Sequence, residues 1–137
     1  MANFEIAYKR TAQFEGGWSC EEPDNGNWTG AKVGVGKCLG TIAGITAYEV
    51  KEFLGHEPTL DEVKNFPESS RKAIYKKKYW DKIMGDSLNE QEIANIMYDE
   101  AVNAGIGAAI KLAEELTSVK VDGKIDNNLL NSLNNIV

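Results

Sequence analysis

The sequence predicts a mainly α-helical fold with one glycine-rich loop or small hairpin near the N-terminus. Apolar residues repeat at helical spacing in the first fifteen residues and again after residue 46. Several of the later segments follow a Ser or Thr that has an acidic residue three positions on, the pattern of a helix-capping box. Between the first and second helical segments, glycines recur at positions 16, 17, 26, 30, 34, 36, 40 and 44, which favours turns.

The first helix is predicted over residues 3–15, and Gly16 and Gly17 end it. Glu15 therefore lies in its last turn. A carboxylate at a helix C-terminus faces the negative end of the helix dipole, which favours its protonated form. This position suits a proton donor.

The later helices are predicted from their caps. Thr46 with Glu49 opens a helix that Gly55 ends. Further helices are predicted from Thr59, from Pro67, from Ser87, after the glycines at 105 and 107, and from about Asp126. In the Ser87 helix the predicted core stripe is Ile93, Ile96, Met97 and Ala101.

Length and charge exclude several classes of function. A chain of 137 residues is expected to form one compact unit and, by default, a monomer. The net charge is -6, and the longest basic run is Lys76–Lys78, so a nucleic-acid partner is not expected. The N-terminus alternates apolar and charged residues, and no stretch reaches membrane-spanning length, so neither a signal peptide nor membrane insertion is expected.

Cofactor motifs are also excluded, and no cofactor or metal is expected. His56 is the chain's one histidine, which is too few for a histidine-rich zinc site. The stretch "GAKVGVGKC" resembles a phosphate-binding loop but has Ala31 and Cys38 at positions that require Gly and Ser or Thr. Cys20 and Cys38 could close one disulfide, although two reduced thiols are the expectation without an export signal.

Two carboxylates near the N-terminus, Glu15 and Asp24, suggest glycoside hydrolysis. Glu15 and Asp24 are nine positions apart, across a loop that can fold back toward the helix end. Glycosidases use one carboxylic acid as proton donor and a second carboxylate to stabilise positive charge or activate water. With twenty-one acidic residues in the chain, the spacing alone is weak support.

Aromatic side chains provide the flat faces on which sugar rings stack. Trp18 and Trp28 flank the two acids and lie in the loop, which favours a binding role. Trp80 and Tyr98 are further candidates, but for them a role in the hydrophobic core is the stronger interpretation.

The segments "FEGGW", "PDNGNWT", "GTIAGITA" and "YKKKYW", in this order, resemble the glycoside hydrolase family 108 lysozymes, which are bacterial and phage N-acetylmuramidases. The resemblance implies a lysozyme-like helical fold and places the proposed catalytic acid of the family at Glu15. Asp24, Thr29 and Thr46 match later positions of its front motif. Separately, Glu15, Asp24 and Thr29 resemble the acid, acid, hydroxyl order of phage lysozymes, in which the hydroxyl helps to place water, so Thr29 is a candidate catalytic hydroxyl. Thr46 is a candidate substrate contact.

The back half resembles the predicted peptidoglycan-binding region that commonly follows in this family, with Asp99, Asn103, Gly105, Asp122 and Gly123 as landmarks. The implied domains are a catalytic region over residues 1–84 and a helical binding region over 85–137, packed as one unit. Asn103 is its candidate substrate contact. Relatives generally continue beyond the position of Val137, so a truncated form of this region is expected.

Two departures from the family pattern bear on the site. Asn27 stands where a second glycine is usual. Residues 30–40 are inserted between Thr29 and the Gly-Ile-Thr triplet that ends at Thr46. The role of this insertion stays open, and with it the choice among Thr29, Thr41 and Thr46 as the threonine of the site.

The resulting hypothesis is a muramidase that cleaves the β-1,4 bond between N-acetylmuramic acid and N-acetylglucosamine in peptidoglycan strands. A lytic transglycosylase and a non-catalytic peptidoglycan-binding module are the alternatives, and retention or inversion of configuration stays open. The expected localisation is synthesis in the cytoplasm and action on cell-wall or periplasmic peptidoglycan. A prophage endolysin, another export route or a removed leader would each explain how the chain reaches that substrate.

Overall fold

The computed structural model describes residues 1–12, 17–117, 125 and 127–135, and the mainly α-helical class is confirmed. Three two-residue strands form an antiparallel sheet in the order β1-β2-β3: β1 (Trp18–Ser19), β2 (Thr41–Ile42) and β3 (Ile45–Thr46). Seven α-helices lie in the described residues: α1 (Phe4–Ala12), α2 (Ala47–Leu54), α3 (Leu60–Lys64), α4 (Glu68–Tyr75), α5 (Gln91–Ala104), α6 (Ile106–Thr117) and α7 (Asn127–Asn134). Short 3-10 turns cover Asn25–Asn27 and Gly85–Ser87, and a π-helical turn covers Lys76–Trp80.

The chain divides into two compact units. The helical unit comprises Met1–Gln13 and Tyr75–Val137, and the loop unit comprises Phe14–Ile74. The predicted functional division at residue 84 stays a prediction. None of the described helices has the length and apolar character needed to cross a bilayer.

Aromatic rings form the centre of the helical unit. The ring of Phe4 lies 5.7 Å from that of Tyr8, 5.6 Å from Trp80 and 5.7 Å from Tyr98. Trp80 is completely buried, and its Nε1 donates a hydrogen bond to Asp86 Oδ1 at 2.8 Å. The indole therefore buries a large apolar surface and also satisfies its one polar group.

The start of α5 differs from the prediction. Ser87 does not cap this helix, which begins at Gln91 after Glu90, and no side-chain capping bond is present. Leu88 is extended and completely buried, and its N–H bonds to the Gly85 carbonyl of the preceding 3-10 turn. Because burial of Leu88 keeps the chain extended beyond Ser87, the helix starts later than its capping pattern predicts.

The predicted core stripe of α5 is correct in part. Met97 and Ala101 are completely buried, but Ile96 is 42% exposed, so its assignment to the core is wrong. Ala94 and Asn95 are buried instead, so the buried face of α5 is rotated relative to the predicted one.

In the loop unit, local sequence signals place the helices correctly. Thr46 caps α2 and Thr59 caps α3, each in a complete capping box with the Glu three residues later. Gly55 ends α2 with a φ of 77°, a left-handed conformation that glycine adopts without strain. The predicted long loop contains the small sheet, in which Trp18 pairs with Ile42, and Thr41 pairs with Thr46.

Candidate functional site

The predicted proton donor, Glu15, lies outside the described residues. The structure resumes at Gly17, whose carbonyl accepts a hydrogen bond from Ala43 N at 3.2 Å. From Gly17 to Thr46 the chain forms the candidate loop, which contains the other front-segment candidates. The structure therefore describes the candidate loop but not Glu15 itself.

Asp24 is exposed and organises the first turn of the candidate loop. Its Oδ1 accepts a hydrogen bond from Gly26 N at 2.9 Å and so caps the 3-10 turn Asn25–Asn27. One carboxylate oxygen is thus engaged by the backbone, while the side chain stays in contact with solvent. This arrangement fixes the orientation of the carboxylate and leaves it accessible to a substrate.

Asn27 holds the two sides of the candidate loop together. It is 1% exposed, and its Nδ2 donates to the Glu21 carbonyl at 3.0 Å while its Oδ1 accepts from the Thr41 hydroxyl. Its own carbonyl accepts from the N–H groups of Leu39, at 2.8 Å, and Gly40, at 3.0 Å. A glycine here could make the two backbone bonds only, so the departure from the family pattern has a structural role.

Thr29 is completely buried and its hydroxyl is bonded on both sides. Its Oγ1 donates to Glu57 Oε1 and accepts from Lys37 N at 2.9 Å. Gly36 lies so close that a Cβ there would overlap Thr29 Oγ1. The Thr29 hydroxyl therefore stabilises the inserted segment against the body of the loop unit.

Glu57 is the residue of this network that the sequence did not suggest. Its side chain is 40% exposed and lies 3.5 Å from Lys51 Nζ. The hydrogen bond from Thr29, and then the charge of Lys51, hold the pKa of the Glu57 carboxyl below its ordinary value. Nothing in the local sequence distinguishes Glu57 from the other acids, because its partner Thr29 is 28 residues away.

The two loop tryptophans are fixed by their indole N–H groups. Trp18 Nε1 donates to the Leu39 carbonyl at 2.9 Å, and Trp28 Nε1 donates to the Glu22 carbonyl at 2.8 Å. Trp18 is 37% exposed, and Lys64 Nζ lies 4.4 Å from its ring centroid, a cation–π contact. A sugar ring that stacks on the face of Trp18 next to Lys64 would have to displace that ammonium group.

Thr46, a predicted substrate contact, is used as a helix cap. Its hydroxyl accepts from Glu49 N at 3.1 Å, and its N–H donates to Glu49 Oε1 at 3.1 Å. A Cβ on Gly26 would lie 3.1 Å from Thr46 Cγ2, so Asp24's turn packs closely against this cap. Asp24, Thr29 and Thr46 thus belong to one hydrogen-bonded loop, although their roles toward a substrate stay predictions.

The candidates in the helical unit have different surroundings. Trp80 and Tyr98 are 0% and 1% exposed, which favours the core role that the sequence analysis preferred over substrate binding. Asn103 is exposed near the end of α5, just before Gly105 with its φ of 96°. Asp99 accepts a hydrogen bond from the Thr11 hydroxyl at 3.1 Å, whereas Asp122 and Gly123 lie outside the described residues.

A metal site needs several ligating side chains that lie close together. Within the described ranges, no three His, Cys, Asp or Glu side chains come together as a metal ion would require.

Comparison with known proteins identifies the family. The glycosyl hydrolase 108 family model matches residues 8–105, a range that contains Glu15 and the whole candidate loop. The chain belongs to this family. At family level it is therefore a glycoside hydrolase, of the lysozyme-like kind that acts on peptidoglycan. No curated protein matches the chain.

A solved structure of SagA from Brucella abortus is similar over most of the chain, with a TM-score of 0.68 and 25% sequence identity. The match covers 98% of this chain and 70% of the SagA chain. The lysozyme-like fold class is confirmed by this likeness. The family match ends at residue 105, and the peptidoglycan-binding role of residues 85–137 stays a prediction.

Proposed function

We propose that the protein is an N-acetylmuramidase that hydrolyses the β-1,4 bond between N-acetylmuramic acid and N-acetylglucosamine, with Glu15 as general acid. The observation that carries this proposal is the glycosyl hydrolase 108 match, because it spans both Glu15 and the candidate loop. Glu15 opens the Glu-Gly-Gly sequence that ends at Gly17, the first described residue of that loop.

In the proposed reaction, the Glu15 carboxyl group donates its proton to the glycosidic oxygen as the bond to the sugar C1 breaks. Positive charge then develops on C1 and the ring oxygen. The Asp24 carboxylate would stabilise that charge or activate the water that attacks C1. Its capping bond to Gly26 N supports this role, since a carboxylate with a fixed orientation needs less reorganisation in the transition state.

Thr29 has a different role in this proposal from the catalytic hydroxyl expected from the sequence. Its hydroxyl donates a hydrogen bond to Glu57, and its side chain is completely buried. Thr29 therefore acts as a positioning residue for the loop and does not contact the attacking water. Trp18 and Trp28 are proposed as the sugar platforms, because their indoles are oriented by backbone carbonyls. Thr46 and Asn103 stay as proposed substrate contacts.

The test compares wild type with Glu15→Gln on purified peptidoglycan, measured as release of reducing sugar. General acid catalysis contributes about 100- to 10,000-fold, so the variant is expected to lose at least about 100-fold in kcat. Glu52→Gln is the matched control, because it makes the same change at an exposed acid on α2 and is expected to keep full activity. Full activity in Glu15→Gln would reject Glu15 as the acid.

Mass spectrometry of the products separates the alternatives. Reducing N-acetylmuramic acid ends are expected from a muramidase, and 1,6-anhydro ends would mean a lytic transglycosylase. Sedimentation of the protein with insoluble peptidoglycan without any product would mean a binding module. Proton NMR of the first anomer formed decides between retention and inversion of configuration. A separation of about 5 Å between the Glu15 and Asp24 carboxyl groups would favour retention, and one of about 6.5–9.5 Å would favour inversion.

A further inference from the structure

Cys20 and Cys38 lie together at one edge of the candidate loop. Their Sγ atoms are 3.2 Å apart, and both are free thiols. Cys20 directly follows β1, and Cys38 pairs with Trp28 in an isolated β-bridge. A disulfide has an S–S length of about 2.05 Å, so the two sulfurs need to approach by roughly 1.2 Å to bond.

The backbone on both sides of this pair is anchored. Next to Cys20, Ser19 pairs with Thr41 across the sheet. Next to Cys38, Leu39 N donates to the Asn27 carbonyl at 2.8 Å, and the Leu39 carbonyl accepts from Trp18 Nε1. The proximity of the thiols is thus a result of the sheet and the Asn27 bonds, and the two sulfurs lie within roughly 1.2 Å of bonding distance.

The two thiols have unequal surroundings. Cys20 is exposed, while Cys38 is partly covered. Burial, followed by the hydrogen bond and the charge of Cys20 and then the charge of Glu22, raises the pKa of Cys38 to about 11. Cys38 consequently stays protonated near neutral pH, and Cys20 is the sulfur that an external oxidant reaches first.

We propose that Cys20 and Cys38 form a redox-dependent cross-link, which a disulfide oxidant closes into an intramolecular disulfide across the candidate loop. The cross-link joins positions 18 residues apart, and the closed segment contains Asp24, Trp28 and Thr29. This inference stands on the thiol geometry and does not depend on the proposed bond specificity.

The reaction balances with oxidised glutathione as the oxidant. The Cys20 thiolate attacks one glutathione sulfur and releases one glutathione, which leaves a mixed disulfide on Cys20. Conversion of Cys20 to the mixed disulfide removes two of the influences that raise the pKa of Cys38, namely the hydrogen bond and the charge of Cys20. Cys38 then loses its proton to solvent, and its sulfur displaces the second glutathione. In sum, two protein thiols are oxidised and one oxidised glutathione is reduced to two glutathione molecules.

The cross-link is expected to restrict the unfolded chain. Closing a loop of this length constrains the denatured ensemble and should raise the melting temperature by roughly 10 °C. The folded state should change little, because the partners are already adjacent. The effect should therefore appear in stability more than in the circular dichroism spectrum.

The test equilibrates the full chain in glutathione buffers of increasing oxidation and measures intact mass, free thiols and melting temperature. Expected results are a mass loss of about 2 Da, two thiols protected from a maleimide, and one cross-linked peptide that contains both cysteines. Cys20→Ser and Cys38→Ser should each keep one reactive thiol or one glutathione adduct and show no rise in melting temperature. Under full reduction, Cys20→Ser, a substitution at an exposed site, should have the same melting temperature as the wild type.

Two results would overturn the proposal. The first is two stable glutathione adducts on the wild type, and the second is a disulfide between two chains. Peptide mapping of the oxidised wild type does not depend on any variant, so the assignment can be judged even if Cys38→Ser fails to fold.

Discussion

In the helical unit, aromatic rings provide the core, whereas the candidate loop of the other unit is held together by hydrogen bonds from buried polar side chains. Phe4, Trp80 and Tyr98 meet ring to ring, and Trp80 has no exposed surface. In the loop unit, Asn27 and Thr29 are equally buried, but their contacts are specific donor–acceptor pairs. Apolar contacts decline gradually when a side chain is trimmed, while a buried polar group left without its partner has a fixed cost.

This difference gives the candidate loop a defined shape with little apolar surface. Its short strands and glycine turns bury few large side chains, chiefly Leu39, Ile42 and Ile45, so its shape depends also on a small number of polar residues. A catalytic loop gains from such a construction, because the backbone groups that orient Asp24, Trp18 and Trp28 are themselves fixed. The two regions should therefore respond differently to substitution.

The largest expected effect is that of Trp80→Ala in the helical unit. The variant removes the indole at the centre of the ring cluster and leaves a cavity, so the free energy of unfolding should fall by about 3–5 kcal/mol. Urea denaturation followed by circular dichroism measures it. Trp80→Phe keeps ring contacts and loses the bond to Asp86, so its loss should be clearly smaller. Equal losses in both variants would contradict a core held by ring burial.

In the loop unit, Asn27→Ala should have the next largest effect. It removes the partners of the Glu21 carbonyl and the Thr41 hydroxyl, and a buried group left unsatisfied costs about 1–3 kcal/mol. Asn25→Ala is the control, since Asn25 is exposed and makes one side-chain bond, to Val33 N. If the two asparagine variants lose the same stability, the loop does not depend on Asn27.

The fold was predictable where its determinants are local in sequence. The capping boxes at Thr46 and Thr59 involve residues three positions apart, and both are present. Ser87 has the same pattern but fails, because burial of Leu88 in the tertiary structure overrides it. Local sequence thus sets where a helix can start, and packing decides whether it does.

The candidate site was predictable only in part, for the same reason. Motif order gives Glu15, Asp24 and the loop tryptophans. The bonds of Asn27 and Glu57 were not predictable, since their side-chain partners are 14 and 28 residues away. No local pattern encodes contacts across such separations, and they become apparent only once the loop is folded.

A smaller effect is expected for the helix caps, which compares one site in each unit. Thr59→Ala removes the hydroxyl that accepts from Glu62 N, and the loss of a cap costs about 1 kcal/mol. Ser87→Ala should cost close to nothing, because Ser87 caps no helix. Paired urea denaturation curves measure the difference. A loss of similar size at Ser87 would mean that its hydroxyl stabilises the start of α5 after all.

The smallest expected effect is a change in acid sensitivity in Glu57→Gln. The folded state lowers the pKa of Glu57 below its ordinary value of 4.5, chiefly through the Thr29 hydrogen bond. Because folding favours the ionised form, this contribution to stability is present above pH 4.5 and is lost as the pH falls through the lowered pKa. Glu57→Gln should therefore be less stable than wild type at pH 6, and the two should converge as the pH falls through the lowered pKa. Glu52→Gln controls for the change in net charge. In a second experiment, NMR titration of the Glu57 carboxyl in Thr29→Val should show a pKa nearer to the ordinary value. A constant difference between wild type and Glu57→Gln across this range would mean that the carboxylate charge does not stabilise the loop.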